Sequence, residues 1–273
     1  MKKRSKSQFL FLLMVSLSLI VLASACSLSA SQPVPAADPT ATLPEVAEPT
    51  PDTSGQSDGL VSVDVSGVAQ GYSTQVVAAV PFSTDRPWWD MLPEHIVLTL
   101  EGYPVEDHLM QPQIFIFPVQ EMSAYENVGN IAADLEALLQ SQQPGRILPY
   151  LPLYNAGQVM HAQVKFLDFQ SGSGVRYLTQ FDQALLPINN DELLYTYQGL
   201  TRDGRFYVAA VLPLNLPGLP ADANVSDATP PEFFNNFPQY MADMVMNLNQ
   251  ADASVYNPDL NALDALVQSI QVQ

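Results

Sequence analysis

Three histidines, one cysteine and two adjacent tryptophans are the side chains with which this 273-residue chain could do chemistry beyond packing. Glu94-His95 and Glu106-Asp107-His108 set carboxylates beside imidazoles, the donor mixture of a nitrogen–oxygen metal site. Neither spacing is an established ligand pattern, so both read as surface or strand-end residues and no metal is expected. His161 alternates with Met160, Ala162, Val164 and Phe166, which puts it with Lys165 on the polar side of a strand. Asp222-x-Asn224-x-Ser226 opens like a calcium loop, yet Asp227 stands where the tight turn needs glycine and Glu232 arrives one residue early for the bidentate ligand. An acidic connecting loop is the simpler reading. Gly55-Gln56-Ser57-Asp58-Gly59 spells a nucleophile elbow, which works where a strained turn between strand and helix exposes the serine. Here a proline- and threonine-rich tract precedes it, so no catalytic residue and no cofactor is assigned. Trp88-Trp89 is the most informative pair. With Arg86 and Asp90 alongside, two neighbouring indole faces offer a platform for a glycan, a peptide or another protein. The alternative is a loop that folds one indole onto the domain.

Charge narrows the partners. There are 28 acidic and 10 basic residues, and Lys2, Lys3, Arg4 and Lys6 account for four of the basics. Past residue 25 the net charge is about −22, a field that repels phosphate backbones and excludes nucleic acid as a partner. Apolar residues make up 47%, enough to build a core rather than a disordered chain.

Residues 1–6 are basic, residues 9–25 are apolar apart from serines, and Ala23-Ser24-Ala25-Cys26 closes the segment with small residues before the single cysteine. That order of parts is a secretory signal. Its end resembles the lipobox of bacterial lipoproteins, in which the chain is cut just before a cysteine whose sulfur carries a diacylglycerol. Ala23 stands where that motif usually has leucine, and Leu22 lies one residue further out. Ala23-x-Ala25 also suits ordinary signal peptidase, and an uncleaved anchor is the third reading. The resemblance implies acylation of Cys26, attachment to the lipid bilayer, and a location outside the cytoplasmic membrane in the cell envelope. With Cys26 the sole cysteine, no disulfide framework exists. Residues 27–59 are rich in serine, proline, alanine, threonine and acid, a composition that cannot offset its ordering entropy and reads as a disordered linker.

From residue 60 the pattern is that of a folded domain. Val61, Val63 and Val65 alternate as in a strand. Further strands are expected at 75–80, 95–100, 113–117, 158–170, 175–183, 193–200 and 205–214. Met160, Ala162, Val164 and Phe166 should form the buried face of the fifth. Ser171-Gly172-Ser173-Gly174 and Asp203-Gly204 should supply the turns. Val128, Ile131, Leu135, Leu138 and Leu139 mark a helix. A second runs over 231–249 with Phe234, Phe237, Met241, Met244, Val245 and Leu248 as its apolar stripe. A third starts at Asn257 as N-cap with Pro258 in first position. Leu260, Leu263, Leu266, Val267 and Ile270 form its inner face. About eight strands and three helices in this order predict a single α+β domain over 60–273, an antiparallel sheet with helices packed on it.

The element order and the ending Leu263-Asp264-Ala265-Leu266-Val267-Gln268-Ser269-Ile270 resemble the PsbP-like fold of small bacterial lipoproteins. The resemblance spans about residues 67–272 and implies a non-catalytic extracytoplasmic binding or assembly module. The competing expectation is an extracytoplasmic hydrolase whose site converges only in three dimensions.

Overall fold

The computed structural model describes residues 59–225 and 229–273. The signal, Cys26, the linker up to residue 58, the serine of the elbow string and the Ser226-Asp227 part of the calcium-like loop lie outside the described residues. The chain opens with a short β1 (Val61–Ser62), then β2 (Gly71–Val77), β3 (His95–Glu101) and β4 (Gln113–Pro118). After α1 (Val119–Met122) and α2 (Ile131–Ser141) come β5 (Gly157–Phe169), β6 (Gly172–Asp182), β7 (Leu194–Thr201) and β8 (Phe206–Pro213). The chain ends with α3 (Pro231–Asn235), α4 (Phe237–Gln250), α5 (Leu260–Ser269) and β9 (Gln271–Val272).

Seven strands form one antiparallel sheet in the order β2-β3-β4-β8-β7-β6-β5, and β1 pairs with β9 in a second, two-stranded one. Two meanders, β2 to β4 and β5 to β8, are joined where β4 pairs with β8, with Ile116 opposite Val208. The fold is α+β, as the element order predicts. Strand β9 goes unread in the sequence because two residues carry no periodicity. Its partner Val61, opposite Val272, lies at the far end of the chain.

Both faces of the sheet are covered, which is why nearly every residue of β6, β7 and β8 is buried and why β8 reads as a continuous apolar run. On one face Leu98, Ile114, Val208, Leu178 and Tyr195 meet Leu248 of α4 and Leu263, Leu266 and Val267 of α5. On the other, Phe115, Phe117, Tyr177 and Tyr207 meet Leu135 and Leu138 of α2.

Several local expectations change on contact with the structure. The buried face of β5 is Met160 and Ala162, then Leu167 and Phe169, whereas Val164 and Phe166 pack toward the opposite side. A bulge at Gln163 (φ 53°) shifts the register between Ala162 and Lys165, and one inserted residue reverses every side chain after it. Lys165 thereby leaves the side of His161 and joins the face covered by α4 and α5, where its ammonium meets Asp264 at 2.9 Å. The β5–β6 turn is Gln170-Ser171, since Phe169 already pairs with Gly172. Gly172 and Gly174 are strand residues whose missing Cβ makes room for the carbonyl oxygens of Leu200 and Gln198 on β7. At the β7–β8 turn Gly204 alone has positive φ (70°), while the Asp203 carboxylate accepts from the Thr201 hydroxyl at 2.7 Å and the Arg205 N–H at 3.1 Å.

The helix expected over 231–249 is interrupted at Asn236, which caps α4 just before Pro238. Phe234 therefore falls off the stripe and is 62% exposed. Helix α5 is capped by Asp259, whose carboxylate accepts from the Asn261 N–H at 2.7 Å, rather than by Asn257. Asn257 is held elsewhere, exchanging backbone hydrogen bonds of 2.9 Å with Asn215.

Candidate functional site

The Trp88-Trp89 pair sits on a single 3-10 turn (Trp88–Asp90) within the long connection from β2 to β3. This loop is cinched at its base, where the Val80 N–H donates to the Leu92 carbonyl at 2.9 Å. The Asn127 amide, just before α2, donates to the carbonyls of Trp88 (2.6 Å) and Met91 (2.9 Å) and ties the loop to the start of α2. The two indoles stand edge to face, 5.8 Å between centroids at 87°. Trp88 remains 49% exposed.

Each tryptophan borders a different cavity. Trp88 flanks one of about 810 Å³ walled by Ile131 and Leu138 of α2, Tyr150, Gln158 and Phe181. Trp89 flanks a second of about 400 Å³ whose wall includes Asp90, His95, Met110 and Phe115. Leu153 and Tyr154 line both cavities, so the tryptophan pair and this short ridge divide one groove into two lobes. Arg86 is exposed and borders neither lobe, so the structure brings together three of the four residues expected there.

The ridge is positioned from beneath by buried amide and hydroxyl groups. Gln198 of β7 grips the main chain of Leu151: its Oε1 accepts the Leu151 N–H at 3.0 Å and its Nε2 donates to the Leu151 carbonyl at 3.2 Å. The Tyr207 hydroxyl donates to the same Oε1 at 2.7 Å, and the Tyr177 hydroxyl donates to the Pro149 carbonyl at 2.7 Å. Tyr150, Tyr154 and Phe181 then form an aromatic cluster with centroids 4.4 to 5.5 Å apart. Burial pushes the Tyr154 hydroxyl up to about 12, so it is a neutral hydrogen-bonding group at any ordinary pH.

Polar groups in the groove are few. Gln158 accepts the Leu148 N–H at 2.9 Å, and its buried amide faces the Tyr177 hydroxyl. His95 stacks on Phe117 at 4.6 Å, and its Nδ1–H donates to the Pro93 carbonyl at 2.8 Å. Burial lowers its pKa, so the ring is neutral at pH 7 and Nε2 is an acceptor. Of the two readings, surface or strand end, His95 takes the second: it is the first residue of β3, buried against aromatic rings. His108 is a structural residue. Its Nε2 donates to the Leu193 carbonyl at 3.1 Å and its Nδ1 accepts the Met110 N–H at 3.0 Å. Among the described residues no three His, Cys, Asp or Glu side chains converge as a metal site would need.

Paired acids exist, but away from the groove. Gln180 donates from Nε2 to Asp182 Oδ2 (2.9 Å) and to Glu192 Oε2 (3.2 Å), and neither acid borders the two lobes. Gln158 and His95 were invisible as groove residues in the sequence, because convergence depends on Asn127 and Gln198 holding two distant loops. The one local signal was Tyr150 and Tyr154 on either side of Pro152, just after Pro149. No family model, curated protein or solved structure matches this chain, so the functional reading rests on the groove itself.

Proposed function

We propose that this chain is a lipid-anchored extracytoplasmic protein whose domain is a non-catalytic binding module. Its two-lobed groove takes a neutral molecule with a large apolar body and an acceptor oxygen. The observation that carries the reading is the groove itself: two adjoining lobes of about 810 and 400 Å³, each bordered by one tryptophan. The larger lobe is the size of a site for a drug-sized ligand, and its walls are chiefly apolar and aromatic with a few fixed polar groups. The Gln158 amide, which faces the Tyr177 hydroxyl, is the polar group in the larger lobe that a ligand carbonyl or hydroxyl could share. A cationic ligand finds one carboxylate in each lobe, Asp134 and Asp90, and an anion finds no lysine or arginine. The reading agrees with what a PsbP-like resemblance implies, a module that binds without catalysing.

A neutral fluorescent naphthylamine, N-phenyl-1-naphthylamine, tests the groove. Its emission should rise on titration with the protein and saturate, and Trp88→Ala should weaken its affinity about tenfold, the effect of losing roughly 1.4 kcal/mol of aromatic contact. Unsaturable emission, or wild-type affinity in both Trp88→Ala and Trp89→Ala, would overturn the assignment. For the anchor, growth with radiolabelled fatty acid should label the protein, and Cys26→Ser should abolish both the label and sedimentation with membranes. A label retained in that variant would remove Cys26 as the attachment point.

A further inference from the structure

The seven-stranded sheet has two edges, and they are treated differently. Strand β5 is guarded. It carries two register shifts, Lys165, and the positive-φ Gln163. The N–H of Gln163 donates to the Asn249 side chain at 2.6 Å, and its amide donates to the carbonyls of Leu248 (2.9 Å) and Ala251 (3.0 Å). These are the devices by which natural sheets blunt an edge. Strand β2 has none of them. Its seven residues, Gly-Tyr-Ser-Thr-Gln-Val-Val, contain no charge and no proline, and they pair β3 residue for residue without a bulge. Among the described residues nothing bonds its outer side, residues 73–76 are exposed, and Val76 is 42% accessible.

We propose that a second copy of this chain covers that edge, with β2 pairing antiparallel to β2 about a two-fold axis through Thr74. A two-fold perpendicular to the sheet keeps each face continuous across the join, and the register centred on Thr74 is the one that uses all seven residues. In it, Tyr72 lies opposite the partner's Val76, Ser73 opposite the partner's Gln75, and Thr74 opposite its own mate. Aromatic with β-branched, hydroxyl with amide and Thr with Thr are each favoured cross-strand neighbours. The half-exposed Val76 side chain gains an aromatic cover twice over, once in each protomer. Charge argues for this location as well. Two chains of about −22 repel, but β2 itself carries no charge; the carboxylate beside it is Glu101, at the Gly71 end of the join, and charges farther than about 10 Å away are screened at 0.1 M salt. The sheets would merge into one of fourteen strands. This proposal does not rest on the ligand reading, although Val77 at the end of β2 also borders the smaller lobe.

Cysteine crosslinking of the full-length protein in its membranes tests it. Thr74 Cα atoms related by the axis would be about 4.5–5.5 Å apart, within disulfide range, so Thr74→Cys should give a disulfide-linked dimer on mild oxidation. Val76→Cys should not, because its two copies would be four residues apart, about 13 Å. In detergent solution the wild type should sediment as a dimer. The double variant Ser73→Lys/Gln75→Lys, which sets like charges directly opposite one another, should sediment as a monomer with an unchanged melting curve. A monomeric wild type, a foreign protein crosslinked through Thr74→Cys in place of a second copy, or equal crosslinking of Val76→Cys would overturn the proposal. A lysine variant that melts like the wild type yet stays dimeric would do so too.

Discussion

Asp264→Ala is expected to destabilise the domain by about 3–5 kcal/mol, the cost of stranding a buried charge. For a domain of this size that is a fall in Tm of roughly 6–20 °C. Asp264 lies on the inner side of α5, among Leu260, Leu263 and Val267, and is buried with them. Its carboxylate receives Arg176 Nε at 2.9 Å and Nη2 at 3.2 Å, the Tyr195 hydroxyl at 3.0 Å and Lys165 Nζ at 2.9 Å. Arg176 is itself buried on β6, with its remaining Nη1 donating to the Gln163 carbonyl at the bulge. Removing the carboxylate leaves that guanidinium inside the protein with a carbonyl and the Tyr195 ring as company. The half-exposed Lys165 is the control: Lys165→Ala should cost under about 1 kcal/mol, as a solvated ion pair does.

Burial pushes the Asp264 carboxyl up, but the Arg176 and Lys165 hydrogen bonds and charges outweigh it and hold the group below its usual range. A depressed carboxylate stabilises fully above its unfolded value near 4 and loses that contribution as pH falls through the folded value. Asp264→Asn should therefore flatten the acid limb of the stability curve below pH 4, measured by guanidinium unfolding across pH. A Tm unchanged in Asp264→Ala at pH 7 would mean that Arg176 finds another way to water.

Much of this architecture was legible in the residues, and the parts that were not share a cause. Strands of a sheet covered on both faces announce themselves through runs such as Phe206 to Pro213, apolar almost throughout, and others, such as β5 before its bulge, through alternation. The three long helices show their stripes, and Leu263, Leu266 and Val267 are buried as the spacing requires. What periodicity misses is any event of one residue. Gln163 adds a residue to β5 and reverses Val164 and Phe166, and Asn236 ends one helical turn and starts α4. Function-bearing placement is harder still. Trp88 and Trp89 stand out as a pair, but that they border two lobes depends on Asn127, 39 residues from Trp88, and on Gln198, 47 residues from Leu151. Asp182 and Asp264 look alike in the sequence, each an acid among apolar and polar neighbours, yet their surroundings pull them in opposite directions.

Asp182→Asn is expected to stabilise the domain at pH 7.5, by up to about 3 kcal/mol, and to leave it unchanged at pH 4. Asp182 ends β6 with 8% of its surface exposed. Its Oδ2 accepts from Gln180 Nε2 at 2.9 Å, while its buried Oδ1 has no partner. Burial is the main force that pushes its pKa up to about 6; the Gln180 hydrogen bond opposes it, and the charge of Glu192 and a hydrogen bond to that carboxylate add to it. Glu192 is fixed in place by Asn189 Nδ2 at 2.6 Å, so it cannot swing away from its neighbour without losing that bond. A carboxyl whose folded pKa lies above its unfolded value of 3.8 holds a proton that the unfolded chain releases. Stability therefore declines as pH rises from about 4 to 6, and the penalty stays constant above. At about 1.36 kcal/mol per pH unit this window bounds the gain at roughly 3 kcal/mol. Asparagine keeps the acceptor for Gln180 and offers a permanent N–H donor where the wild type needs a proton. Because the Asp264 contribution is lost below pH 4 and the Asp182 penalty builds above it, the two acids place the stability maximum on the acid side of neutrality. Paired unfolding curves at pH 4 and 7.5 decide the matter. Equal gains at both would trace the effect to packing rather than charge, and a loss at pH 7.5 would show that the ionised Asp182 is held by a partner rather than stranded.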